Sequence, residues 1–479
     1  MSKPNILFVM ADQMTAMALP AYGSGQAITP CLDALAARGL VFEQAYCNFP
    51  LCGPSRQSMM SGRLPSRCGA FDNGTVYPPE VPSFAHYLNL AGYNTCLSGK
   101  MHFVGPDQLH GFGQRLTTDV YPADFSWTAN WGDPDAKVAF QNMDNVFTAG
   151  VCARSMQLDY DEDTAYQAER WLFDQARAQA QGPWHLTVSF THPHDPYQAP
   201  PEYWGLYDGV ELDMPQPRPE VLDAHSQRMM DHYSINAASP TGDDLCQMRR
   251  GYYAAISYID AKLARLLDVL DQTGMADNTV VVFTSDHGDM MGERGLFYKK
   301  TFFEWAARVP LIMAGAGVAP GRVARPVSLV DILPTFCELA GVAPLEACGQ
   351  SLLSGVPAPV FGEYLAEGVN APYFMIRDGD YKLLWAADDP PVLYHLPTDP
   401  DERQNVAGHA AHADALTRLV ALAHDTWDSD AIRAAVIDNQ NRRRLVGQAG
   451  PAQWDHAPDL SMQNRYVPNT GAGTPDNSD

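Results

Sequence analysis

Basic residues are scarce in this 479-residue chain: 32 lysines and arginines stand against 56 aspartates and glutamates, a formal charge of -24 at pH 7. Such a surface repels phosphodiesters and anionic headgroups, which argues against nucleic acid and membrane surfaces as partners. No uninterrupted apolar run approaches the ~20 residues of a membrane helix. Met1-Ser2-Lys3-Pro4 passes directly into Asn5-Ile6-Leu7-Phe8-Val9-Met10, with neither a signal-peptide core nor a small-residue cleavage site. The nine cysteines, at 31, 47, 52, 68, 96, 152, 246, 337 and 348, include no C-x-x-C pair. An odd, scattered set speaks against a disulfide framework or a cysteine-built zinc site, and for reduced thiols in a cytoplasmic protein. No internal repeat is evident. What remains is an ordinary globular composition, 46% hydrophobic and 18% charged, with length for one large domain and a smaller one. The acidic balance is compatible with a cationic substrate.

Short apolar runs alternate with helical stretches, which predicts an α/β domain with a large, mostly parallel sheet flanked by helices. Four runs end in chemically capable residues: Asn5–Met10 before Asp12-Gln13, Asn94–Ser98 before Lys100-Met101-His102, His185–Phe190 before His192-Pro193-His194-Asp195, and Thr279–Thr284 before Asp286-His287-Gly288-Asp289. Ligands of open α/β sheets bind beyond the carboxyl ends of the strands, so four such endings suggest one shared site. Helices are expected over Cys31–Arg38, Ser83–Ala91, Thr164–Gln179 and Arg249–Gln272. In the last, Ile256, Ile259, Leu263, Leu266, Leu267 and Leu270 mark a buried face. Tyr203–Asp244, rich in proline and polar residues, reads as a long surface loop.

The texture changes near Val356-Pro357-Ala358-Pro359. Short strands are expected at Val360–Tyr364, Tyr373–Arg377, Tyr381–Trp385 and Val392–His395, with a hairpin turn at Arg377-Asp378-Gly379-Asp380 and a helix over Ala411–Thr426. This is a small antiparallel α+β unit. The expected division is a catalytic α/β domain over 1–355, a small-sheet subdomain over 356–446 and an extension over 447–479.

The chemistry concentrates around Cys52-Gly53-Pro54-Ser55-Arg56, continued by Gln57-Ser58-Met59-Met60-Ser61-Gly62-Arg63. A cysteine at a helix start sees the positive end of the dipole, which favours anions; alone it is equally a buried, inert thiol. Asp12, Asp286 and His287 offer oxygen donors and an imidazole suited to calcium, magnesium or manganese. The C-x-P-S-R core with its trailing S-G-R, and Asp286-His287-Gly288 followed by Gly292-Glu293-Arg294-Gly295-Leu296, resemble the signatures of type I, formylglycine-dependent sulfatases of the alkaline phosphatase superfamily. Gly99-Lys100-Met101-His102, Pro193-His194, Lys299 and Met375-Ile376-Arg377-Asp378-Gly379-Asp380-Tyr381-Lys382-Leu383 follow in the family's order.

The resemblance implies hydrolysis of a sulfate ester to alcohol and inorganic sulfate. It implies that a maturase oxidises Cys52 to formylglycine, whose hydrated form is the nucleophile, and that Asp12, residue 52, Asp286 and His287 bind a divalent metal, calcium first. It further casts Arg56 as a brace for the nucleophile, Lys100 and Lys299 as donors to sulfate oxygens, His102 as base and His194 as proton donor to the departing alcohol. His192 is the alternative donor. Lys299 is told from Lys300 by its offset from Glu304. Gln13 departs from the family, which more often has an aspartate there, and leaves its part in metal binding open.

Met10-Ala11-Asp12-Gln13-Met14-Thr15, Ser98 through Phe112, Tyr121 through Trp127 and Thr191 through Tyr197 are more similar to choline sulfatases than to arylsulfatases. A quaternary ammonium is recognised by aromatic faces near a carboxylate or an amide dipole. Trp127, Phe125, Tyr121 and Trp131 are candidates for that cage, and Asn73 matches a position that contacts the choline end in this group. The implied substrate is therefore a small sulfate ester, choline O-sulfate first, handled by a homo-oligomer, a dimer or tetramer. The rivals are a phosphonate or phosphate ester hydrolase, an aryl or sugar sulfatase, and a non-catalytic binding protein of the same fold.

Overall fold

Strand β1 (Asn5–Ala11) has every residue buried, and since alternate side chains point to opposite faces, both faces of the sheet around it are covered. The computed structural model describes residues 3–23, 25–121, 123–133, 142–178 and 182–449. The other strands of the main sheet are β2 (Leu40–Tyr46), β3 (Asn94–Gly99), β4 (Gln114–Arg115), β5 (Trp184–Ser189), β6 (Thr279–Ser285), β7 (Arg308–Val309), β8 (Leu311–Gly315) and β9 (Gly321–Ser328). They run in the order β7-β2-β8-β6-β1-β5-β3-β4, with β9 also paired to β2. The four strands expected to carry chemistry, β6, β1, β5 and β3, are adjacent and mutually parallel. Their carboxyl ends, and the residues just beyond them, therefore meet on one edge of the sheet. Strand β8 runs antiparallel to both β6 and β2, so the sheet is mixed.

The helices of the structure include α1 (Pro30–Arg38), α2 (Cys52–Ser61), α3 (Phe84–Leu90), α4 (Met156–Ala178), α5 (Ala224–His232), α6 (Gly242–Thr273), α7 (Ile332–Ala340), α8 (Ala413–Thr426) and α9 (Ser429–Ala449). Helix α6 begins earlier than the apolar stripe predicted, because Thr241 and Asp244 form a reciprocal capping box at its start. The stretch expected to be loop, 203–244, holds α5, which is capped by Asp223. Helix α9 was not foreseen. Its sequence carries only a weak amphipathic pattern, and three of its residues, Val436, Gln440 and Arg443, are buried.

The small sheet is an antiparallel meander of β10 (Val360–Tyr364), β11 (Tyr373–Asp378), β12 (Tyr381–Trp385) and β13 (Val392–His395), with Gly379 at φ +55° in the hairpin turn. Period-two alternation divides its faces. Tyr373 and Met375 join the main core, while Phe374 and Ile376 pack with Leu419 and Ala423 of α8 and with Trp427. Lys382 is wholly buried and reaches back to the main domain, where its Nζ lies 2.6 Å from Glu304 Oε1 and 2.9 Å from the Phe302 carbonyl; Glu402 Oε1, in the small unit, is 2.8 Å away. Among the described residues no helix is long and apolar enough to cross a membrane. Residues 450–479, most of the expected extension, lie outside the described residues.

The core also buries a histidine with no charged neighbour. His185 on β5 is surrounded by Phe84 and Phe336, each 5.4 Å away between ring centroids, and burial pushes its pKa down to about 3. A histidine depressed in the fold stabilises it fully above the unfolded value of ~6.5, and that contribution fades as pH falls toward 3. His185→Phe is therefore expected to narrow the drop in Tm between pH 7 and pH 5, measured by calorimetry beside the wild type. An unchanged drop would count against this linkage.

Candidate active site

The site is built on the edge where the four parallel strands end. Asp12 follows β1, Lys100 and His102 follow β3, His194 follows β5, and Asp286 and His287 follow β6; apart from His194, all are buried. Helix α2 brings Cys52 and Arg56, and every residue of that helix is buried. It starts at Leu51 without a side-chain cap; instead the Gly53 N–H donates to Asn73 Oδ1 at 2.9 Å, and Ser55 Oγ donates to the Asp286 carbonyl at 2.6 Å. A β-carbon on Gly53 would lie 3.1 Å from Asn73 Oδ1 and 3.3 Å from His102, so glycine allows this close approach.

Arg56 uses its whole fork on the interior. Nε donates to Asp286 Oδ2 at 2.8 Å, Nη2 to Asp12 Oδ2 at 3.3 Å, and Nη1 to Ser189 Oγ at 2.8 Å and to the Lys100 carbonyl. Lys100 Nζ also pairs with Asp12 Oδ2. Burial alone would raise the Asp12 carboxyl; Lys100, with Arg56, holds it well below the carboxylate range. Burial is likewise outweighed at Asp286 by Arg56, so that carboxyl too is lowered. Both groups are ionised and ready for a cation.

One donor atom each from Asp12, Cys52, Asp286 and His287 lies within 4.8 Å of the others, and all four residues are buried. The tautomer of His287 suits a metal. Its Nδ1 sits 2.9 Å from the Gly288 carbonyl, which can only accept, so Nδ1 carries the proton and Nε2 presents a lone pair. That Nε2 is 3.3 Å from Cys52 Sγ and 3.8 Å from Asp286 Oδ2, and burial lowers its pKa, favouring the neutral ligand form. Two carboxylates and an imidazole converging beside residue 52 thus fit a divalent cation. The Gln13 side chain is hydrogen-bonded through both atoms of its amide. Its Nε2 donates to Asp289 Oδ2 at 2.8 Å and to Asp195 Oδ1 at 3.2 Å, while its Oε1 accepts from Lys299.

Above the cluster lies a cavity of about 100 Å³, lined by Cys52, Asn73, His102, His194 and Lys299 together with Tyr121, Trp127, Tyr233, Tyr298 and Glu367. Lys299 Nζ is 3.7 Å from Cys52 Sγ and 2.6 Å from His194 Nε2. Lys300 instead pairs with Glu367 Oε1 at 2.9 Å and lies over the Tyr233 ring, so the structure separates the two lysines. His194 Nδ1 donates to the Asp195 carbonyl at 2.7 Å. His192 is turned inward, with Nδ1 2.6 Å from Asp161 Oδ2, and does not line the cavity. His102 has its Nε2 3.1 Å from the Asn73 carbonyl and its Nδ1 buried without a partner; burial and Lys100 push its pKa down to about 3. Backbone at Gln13, His102, Tyr298 and Lys300 has positive φ, a cost of ~1–3 kcal/mol each that the surrounding contacts must offset.

Two expected cage aromatics fall elsewhere: Trp131 is buried with Nε1 on the Ala366 carbonyl at 2.7 Å, and Phe125 does not line the cavity. Glu367, Tyr233 and Tyr298 do line it, and no motif in the sequence marks them. Asp119 was also missed. Its Oδ2 accepts the backbone N–H groups of Met101, His102 and Phe103 at 3.0, 2.6 and 3.3 Å, which holds the turn that carries His102.

The family model for sulfatases matches residues 4–342. This chain belongs to the sulfatase family. It is 42% identical to a choline-sulfatase of Rhizobium meliloti (strain 1021) over 98% of this chain and 96% of that protein. It is 28% identical to arylsulfatase K of Bos taurus over 84% of this chain and 78% of that protein. In fold it resembles a phosphonate monoester hydrolase of Agrobacterium radiobacter, with a TM-score of 0.69, 24% identity, and 90% and 96% of the two chains covered. As a sulfatase the protein is a sulfuric ester hydrolase, and the family's divalent metal has a matching donor cluster here.

Asp286→Asn removes one charged donor and one of the two carboxylates that pair with Arg56. The purified sulfatase variant should lose at least tenfold in affinity for its divalent ion, read by titration after chelator treatment. Unchanged affinity would exclude Asp286 from the donor set.

Proposed function

We propose that this sulfatase hydrolyses choline O-sulfate to choline and inorganic sulfate. The observation that carries the reading is a cavity lined by Cys52 and Lys299 together with the rings of Tyr121, Trp127, Tyr233 and Tyr298 and with the carboxylate of Glu367, which pairs with Lys300 in the same wall. Aromatic faces with a nearby carboxylate suit an ammonium that has no hydrogen to donate. The 42% identical choline-sulfatase, aligned over nearly the full length, points the same way.

In this reading Cys52 is oxidised to formylglycine by a maturase, and the hydrated aldehyde supplies the nucleophile. Asp12, Asp286 and His287 would hold a divalent metal, for which we propose calcium and which would supply charge neutralisation beside the nucleophile. The chain's own residues do the rest. Arg56, fully committed to Asp12 and Asp286, keeps two like charges side by side. Lys100 and Lys299 donate to sulfate oxygens as charge shifts toward the leaving oxygen. His194 is proton-bearing at Nδ1, and its Nε2 accepts from Lys299; the proton delivered to the departing alkoxide comes from this pair. His102, neutral, with Nε2–H tied to Asn73, offers the Nδ1 lone pair as base.

Four measurements test this. Peptide mass spectrometry across Cys52 should show loss of the thiol in favour of an aldehyde in active preparations, and Cys52→Ala should abolish turnover with Tm retained. Trp127→Ala should raise KM for choline sulfate at least tenfold more than for 3,3-dimethylbutyl sulfate, its neutral isostere; equal losses would remove the cation argument. Faster cleavage of a phosphonate monoester than of choline sulfate by the wild type would overturn the substrate assignment.

A further inference from the structure

We propose that Arg443, on the last described helix, is a positioning residue for the alcohol end of the cavity. It clamps the loop that carries Asn73 to the turn that carries Trp127. The inference rests on the reading above, in which this end of the cavity takes the alcohol.

Arg443 projects from α9 and is buried, with 7% of its side chain exposed against 0% for its partner Asp72. The pair is bidentate: Nη1 to Asp72 Oδ1 at 2.6 Å and Nη2 to Asp72 Oδ2 at 2.9 Å. Nη1 also donates to Thr128 Oγ1 at 2.9 Å, and Nε is held by Asn439 Oδ1 at 2.7 Å. Asp72 in turn accepts the N–H groups of Gly74 at 3.0 Å and Ala129 at 3.2 Å. One guanidinium therefore joins two segments distant in sequence, 71–75 and 127–129, each of which delivers a cavity-lining side chain, Asn73 and Trp127. One turn earlier on α9, Gln440 Oε1 accepts the Trp131 N–H at 2.8 Å, so the helix fixes both ends of that turn.

The packing leaves no slack. A β-carbon on Gly74 would come within 2.7 Å of Thr128 Oγ1 and 2.8 Å of Arg443 Nη1. Arg443 touches neither the metal donors nor Lys299. Its effect should fall on how the alcohol portion is bound, and not on the sulfate chemistry. A lysine cannot reproduce the fork, although it keeps the charge.

The test uses the matured full chain with choline sulfate and 4-nitrophenyl sulfate as paired substrates. Arg443→Lys and, independently, Gly74→Ala, which removes no polar group, should each raise KM for choline sulfate on the order of tenfold. The kcat for choline sulfate and both constants for nitrophenyl sulfate should stay within about twofold. Equal losses on both substrates, or an unchanged KM, would overturn the proposal; if Arg443→Lys does not fold, Gly74→Ala decides. Should the wild type hydrolyse nitrophenyl sulfate but not choline sulfate, the substrate reading fails by itself. The clamp is then judged by amide hydrogen exchange: joint acceleration at 71–75 and 127–131 in both variants supports it, and unchanged protection refutes it.

Discussion

The structure depends on holding two buried carboxylates side by side. Asp12 and Asp286 end adjacent parallel strands, and without compensation their mutual repulsion and desolvation would push one of them to the neutral acid. Arg56 and Lys100 prevent this by ion pairs made entirely inside the protein. The cost of burying four charges is offset only because the guanidinium is saturated with acceptors, including Ser189 and the Lys100 carbonyl. This explains why α2 is buried along its whole length despite its polar composition: it is the carrier of that guanidinium and of Cys52.

The topology follows from the same need. Parallel strands deliver their carboxyl ends to one edge, so β6, β1, β5 and β3 place groups from four distant stretches around one cavity. The loops beyond them are then fixed by polar side chains around the cavity. Asp119 gathers three successive N–H groups under His102, Asp161 takes the Thr191 and His192 N–H groups, and Gln13 bridges Asp195 and Asp289 while facing Lys299. The small sheet takes part through Lys382, which anchors the stretch just after Lys299 at Phe302 and Glu304. Helix α9 does the same for the far end of the cavity through Arg443. The carboxy-terminal elements thus brace the site instead of merely following it.

The strand-end groups Asp12, Lys100, His102, His194, Asp286 and His287 were legible because strands buried almost throughout leave a clear apolar signature before each polar ending. The Cys52 segment was legible as a motif. Less was legible where contact partners lie far apart. Glu367, Tyr233 and Tyr298 sit in unremarkable local sequence and reach the cavity only because separate elements converge there. Trp131 and Phe125 had the right chemistry and the wrong direction, and Lys300 lies beside Lys299 yet points to another carboxylate. Helix α9 escaped notice because three buried residues in 21 make too weak a stripe.

By itself, then, the sequence determined the parallel α/β architecture, the small meander, the family and the set of groups able to handle a sulfate ester. These are properties of local periodicity and of short motifs, which adjacent residues encode. Tertiary structure alone decided how Gln13 is spent, where Trp131 and Phe125 turn, and which further rings and carboxylate line the cavity. Those outcomes depend on side-chain direction and on partners supplied by separate elements, and only the packed chain sets them.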